Sequence, residues 1–154
     1  MSILDRLKSA NIDVPDAPKP VGAYVAYKIV NNLVYISGQL PIDQQGKMIK
    51  GKIGADLNVA DGQRAAKFCC INIISQLKAA CNNDLNKVKN CIKITGYVNS
   101  VDDFIEQPKI INSASELLSN IFEESGMHSR AAISVNSLPL GAAVEIDAIF
   151  EITS

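Results

Sequence analysis

The chain has 154 residues, 47% of them hydrophobic and 20% charged, with 15 Lys+Arg against 16 Asp+Glu and a net charge of -1. That length suits one domain around one core, and the near-balance leaves neither a basic field for nucleic-acid phosphates nor an acidic tail. No apolar run approaches the ~20 residues of a membrane span, and no basic stretch followed by an apolar one opens the sequence, so a cytoplasmic location is expected.

In chain order, residues 2–12 read as a short helix with Ile3, Leu4 and Leu7 on one face, ended by Pro15, Pro18 and Pro20. Residues 1–16 are taken as a helical extension and 17–154 as a single domain. Tyr24 to Val30 and Leu33 to Gly38 are β-rich runs around Asn31-Asn32, a dipeptide suited to a type I′ turn. Residues 39–57, with Pro41, Gly46, Gly51 and Gly54, form a long loop. Asn58 caps a helix with Asp61 at its N3 position, and Ala66, Cys70, Ile73, Leu77 and Cys81 make its apolar stripe. Val88 to Asn99 is a strand in which Ile92, Ile94 and Val98 alternate with Lys93, Thr95 and Tyr97. Pro108 opens a second long helix with a stripe of Ile111, Ala114, Leu118 and Ile121, ending near Gly126.

Two alternating runs close the chain. In residues 130–136, Ala131, Ile133 and Val135 oppose Arg130, Ala132, Ser134 and Asn136; in residues 143–152, Val144, Ile146, Ala148, Phe150 and Ile152 oppose Glu145, Asp147, Ile149 and Glu151. A hairpin turning at Leu140-Gly141 is predicted, with Val135 opposite Ile146 and Ile133 opposite Ala148. The order β-β-α-β-α-β-β predicts an α+β two-layer domain, both long helices covering one face of a mixed sheet.

Catalytic vocabulary is sparse. His128 is the single histidine, which excludes two-histidine metal sites within one chain. Cys69, Cys70, Cys81 and Cys91 contain no Cys-x-x-Cys pair and read as buried small hydrophobes, so chemistry without metal is expected. Under the hairpin register Glu145 faces Asn136, which leaves Arg130 and Glu145 on one sheet face roughly 20 Å apart. Two readings stay open at this point. The pair are solvated surface charges, or they are the two ends of a cleft shared between copies in a symmetric oligomer. In the second case arginine would hold a carboxylate and glutamate would handle a water.

Particular blocks carry more information than the periodicity. Arg130-Ala131-Ala132-Ile133-Ser134-Val135, Leu138-Pro139 and Val144-Glu145-Ile146-Asp147-Ala148-Ile149 stand near the C-terminus. Gly22-Ala23-Tyr24 and Leu33 to Pro41, including Ser37-Gly38-Gln39, stand near the start. Together, over about residues 17–152, they resemble the Rid family, the YjgF-like or L-PSP reactive-intermediate deaminases. The resemblance implies a chorismate-mutase-like fold and a homotrimer whose sheets form a β-barrel with clefts between subunits. It also implies cofactor-free hydrolysis of enamines or imines to 2-keto acids and ammonia. By the same resemblance Arg130 would clamp a substrate carboxylate and Glu145 would hold the attacking water. Tyr24, Ser37, Gly38, Asn112 and the main chain near Ala132 would line the substrate site. With Asn31-Asn32 as the turn, Ser37 opposes Ala26 and Tyr24 lies diagonally beside it.

Three departures point to a divergent subfamily. Ala132 stands where these deaminases often carry cysteine, the 103–111 stretch is longer than expected, and the N-terminal helix is an addition. The competing readings are a non-catalytic binder of small carboxylate metabolites and the endoribonuclease label of the family. Net charge -1, four phenylalanines, no tryptophan and one histidine speak against the latter.

Overall fold

The computed structural model describes residues 1–154 and has the expected order of elements. Helix α1 (Ile3–Ser9) is followed by strands β1 (Tyr27–Val30) and β2 (Leu33–Gln39), helix α2 (Val59–Ala80), strand β3 (Val88–Asn99), helix α3 (Gln107–Phe122), and strands β4 (Ser129–Val135) and β5 (Val144–Ile152). Five strands make one mixed sheet in the order β1-β2-β5-β3-β4. Helices α2 and α3 cover one face, and the other is left open.

Local chemistry explains the helices. The Asn58 side chain accepts from the Asp61 N–H while the Asp61 carboxylate accepts from the Asn58 N–H, satisfying two donors that a helix start leaves over. The stripe Ala66, Cys70, Ile73, Leu77 and Cys81 is buried throughout, as is Ile111, Ala114, Leu118 and Ile121 on α3. The reciprocal cap recurs between Ser2 and Asp5 at α1. That helix buries Leu7 in the common core but leaves Leu4 exposed, so the expected three-residue apolar face is narrower. Ile12, just beyond it, is also buried. Arg6 Nε donates to the Ile121 carbonyl at 2.6 Å, tying α1 to the end of α3.

The strands correct several expectations. β1 begins at Tyr27 rather than Tyr24, although the register holds: Tyr27 pairs with Ile36, and the Ser37 N–H donates to the Ala26 carbonyl at 2.9 Å. In the turn only Asn31 takes a positive φ, +54°, whereas a type I′ turn requires it at both central residues. In β3, a register shift between Cys91 and Lys93 puts Cys91 inward and turns Ile92 out to solvent.

The largest correction concerns the end of the chain. β4 and β5 do not form a hairpin: β4 pairs in parallel with β3, Arg130 beside Ile94, and β5 lies between β2 and β3, antiparallel to both. The chain leaves β3, crosses the sheet as α3 and returns beside the same strand, as a parallel pair requires. Residues paired side by side share a face, so Arg130, Ala132 and Ser134 lie with Ile94, Gly96 and Val98 on the helix side. Ala131 and Ile133 lie on the open face, where Ile133 is exposed. The expected inward face of β4 is thus the outward one. The apolar residues of β5 do point inward, from Val144 to Ile152.

Candidate functional site

This inversion separates Arg130 from Glu145 differently from the hairpin register. Arg130 shares a row with Ile94 and Ala148, while Glu145 is three residues from Ala148 on β5. Three residues along and two strands across give about 14 Å between their backbones, and the odd count places their side chains on opposite faces. They do not share a face. Sequence-predicted site residues therefore divide into two groups.

The first group lies on the open face. A cavity of about 620 Å³ is walled by the 18–21 segment, β1, β2 and β5, and it brings Tyr24, Ser37, Gly38 and Glu145 together with Asp147 and Lys28. The 18–21 wall stands on the Pro18 carbonyl, which accepts from the buried Gln76 amide at 2.7 Å. Ser37 Oγ donates to the Val25 carbonyl at 2.7 Å, pinning the strand that follows Tyr24, whose hydroxyl accepts from the Val21 N–H at 3.4 Å. The glutamate side chain lies across Gly38: a Cβ there would stand 2.8 Å from Glu145 Cδ and closer still to Oε2. Only glycine leaves that room.

Electrostatics sharpen the role of Glu145. Burial, and then the nearby Asp147 carboxylate, raise its pKa above the ordinary carboxylate value. Asp147 is itself held by the Tyr97 hydroxyl, which donates to Oδ2 at 2.9 Å. Burial and that bond push the Tyr97 phenol up. A carboxyl whose proton affinity is raised toward neutrality suits proton transfer in either direction. The cysteines lie apart from this cavity, in the core; burial holds Cys69 and Cys70 far above the thiol range and pushes Cys91 to about 12, so none is a ready nucleophile.

The second group stands at the other edge of the sheet, on the helix side. Arg130 Nη1 donates to Ser115 Oγ at 3.0 Å and Nη2 to the Pro108 carbonyl at 3.2 Å, both on α3. Asn112 is exposed on α3, four residues after Pro108 and three before Ser115, and so shares their face of the helix. Ala132, beside Gly96, is half-buried against the core. None of these residues lines the open-face cavity.

Sequence reasoning left several participants unassigned. Asp147 follows Glu145 by two, the strand period, so a shared face was readable. Ser115 lies seven residues after Pro108, two helical turns on, so a shared face was readable. His128 precedes Arg130 by two, but nothing in the sequence says that it folds back onto Ser115.

Comparison with known proteins fixes the lineage. The family model described as "YjgF/chorismate mutase-like, putative endoribonuclease" matches residues 4–151. The chain belongs to this family. Protein TCP17 of Trypanosoma cruzi is 41% identical over 149 residues, covering 96% of this chain and 92% of that one. The crystal structure of Atu1372, a protein of unknown function from Agrobacterium tumefaciens, is 46% identical and superposes with a TM-score of 0.91, covering 98% and 94% of the two chains. The human 2-iminobutanoate/2-iminopropanoate deaminase is 29% identical over 140 residues, covering 90% of this chain and 86% of that one.

Proposed function

We propose that the chain hydrolyses enamines or imines of small 2-imino acids to 2-keto acids and ammonia, at clefts completed between three copies of itself. The observation that carries this reading is the division of the site. Glu145 waits in an open-face cavity with Tyr24 and Ser37, and Arg130 stands on the opposite side, its guanidinium oriented on α3. A neighbouring copy that docks its β4 edge at the cavity mouth supplies the guanidinium that this cavity lacks. The human relative bears the name of this activity.

Arg130 of one copy then binds the substrate carboxylate through charge-assisted N–H bonds. Glu145 of the next, ionised, takes a proton from water as the oxygen attacks the imine carbon. The resulting carbinolamine receives a proton on nitrogen from the Glu145 carboxyl. The regenerated Glu145 carboxylate takes the hydroxyl proton and passes it to nitrogen as the carbonyl forms and ammonia leaves, so water plus imine become 2-keto acid plus ammonia. Tyr24 and Ser37 offer hydroxyls to the adduct. A conjugated imine is already electrophilic, so positioning supplies most of the required acceleration.

The endoribonuclease description of the family suits this cavity less well, because Lys19 and Lys28 there are matched by the carboxylates of Glu145 and Asp147, leaving no excess of cations for a phosphodiester.

The test generates imines in situ with an amino-acid oxidase and traps the survivors with semicarbazide. Purified protein is expected to reduce the trapped product well below the spontaneous level, and Arg130→Ala and Glu145→Gln to return it there. No rate above background with any small 2-imino acid would overturn the reading. Arg130-dependent stabilisation by 2-keto acids without turnover would establish a metabolite binder instead.

A further inference from the structure

We propose that Ser115 and His128 are positioning residues that hold the Arg130 guanidinium in place for a carboxylate. The inference rests on the carboxylate-anchoring role of Arg130 and assigns work to the single histidine, which the reaction itself does not use.

Directionality carries it. A guanidinium only donates, so Ser115 Oγ, 3.0 Å from Arg130 Nη1, must accept there. The hydroxyl proton is then free for an acceptor, and His128 Nε2 lies 2.9 Å away. His128 Nδ1 stands 2.6 Å from the Gly126 carbonyl, which can only accept, so Nδ1 carries the ring proton. A neutral ring so protonated offers its Nε2 lone pair to Ser115. Every donor in the relay meets an acceptor, from Arg130 through Ser115 and His128 to the main chain of Gly126. A neutral ring also avoids setting two positive charges one hydroxyl apart.

The anchor of this relay is closely packed. A Cβ on Gly126 would lie 2.7 Å from the Leu118 carbonyl carbon, so the turn after α3 lies directly against the helix backbone. With Pro108 holding Nη2, two N–H groups of Arg130 are tied to α3, and the others remain for a ligand. A long side chain fixed before binding loses less freedom when the carboxylate arrives. Loss of either positioning residue should therefore weaken ground-state binding and leave the chemical step largely intact.

The lone histidine provides its own probe: protein labelled with 15N only in histidine gives a single pair of ring signals. The expected spectrum at pH 7.5 is the Nδ1–H tautomer, with an Nε2 signal that moves in Ser115→Ala, in Arg130→Ala, and in wild type saturated with 2-ketobutanoate. In imine hydrolysis, Ser115→Ala and His128→Phe are expected to raise KM about fivefold to tenfold with kcat within about twofold, the worth of one such bond. Ser115→Thr, which keeps the hydroxyl, restores KM. An Nε2–H tautomer, a ring signal indifferent to both variants and to 2-ketobutanoate, or an unchanged KM in both variants would overturn the proposal. Failure of wild type to hydrolyse any imine would sink the deaminase reading alone, because the ring signals still decide the positioning. Should His128→Phe fail to fold, the wild-type tautomer and the Ser115→Thr rescue remain decisive.

Discussion

Glu145 shows how one side chain carries both a cost and a task. Burial and Asp147 hold its folded-state pKa above the ordinary 4.5. Its contribution to stability is therefore full below about pH 4.5 and lost as pH rises through the raised value. Glu145→Gln, neutral at every pH, is expected to melt higher than wild type at pH 7 and to lose that advantage below about pH 4.5, while turnover falls to background. Thermal melts at the two pH values check the sign. Asp147→Asn removes the smaller of the two causes. The acid limb of the rate profile, where Glu145 must be ionised, should move to lower pH without reaching 4.5, since burial remains. Gly38→Ala drives a methyl into the glutamate carboxylate and is expected to lower kcat/KM at least tenfold with little change in melting, as Glu145 can swing toward solvent.

Among the elements, legibility followed the range of the forces involved. The capping box at Asn58 and the stripes of α2 and α3 are decided within a few residues, and they were readable in the sequence to the residue. Asn58→Ala is expected to cost about 1 kcal/mol, which a chain of this size shows as a melting shift of about 2–4 °C; Asn58→Asp should recover it. The pairing of β4 was not readable. Alternation told which of its residues share a face and pointed the apolar set, Ala131, Ile133 and Val135, at the helices, whereas Arg130, Ala132 and Ser134 lie there and Ile133 is exposed. Nearness in sequence to β5 suggested a hairpin; the α3 crossover instead laid β4 beside β3. Ile92 was misplaced by a bulge, which resets the strand period without a marker in the sequence. Of the candidate site, the residue types and the Ser37–Ala26 register were legible, whereas the division between two faces required the strand order.

At the scale of the whole molecule, the open face of the sheet exposes Tyr35 and Ile133. Apolar side chains on a face without helices are the kind of surface that copies of a chain cover. Light scattering is expected to give a mass near three times the 16.6 kDa of the chain, and Ile133→Asp to dissociate it and abolish turnover together. A monomeric wild type that still hydrolyses imines would show that one chain suffices.

The placement of Arg130 and Glu145 on opposite faces has a genetic reading. If each cleft takes its arginine from one copy and its glutamate from the next, two dead alleles can rescue one another. Arg130→Ala and Glu145→Gln chains, each inactive alone, should regain activity when unfolded and refolded together. With random mixing, about a quarter of the clefts inherit both intact residues. Activity near one quarter of wild type would mark the site as common property of neighbours, and a mixture as inactive as its parents would return both residues to a single chain.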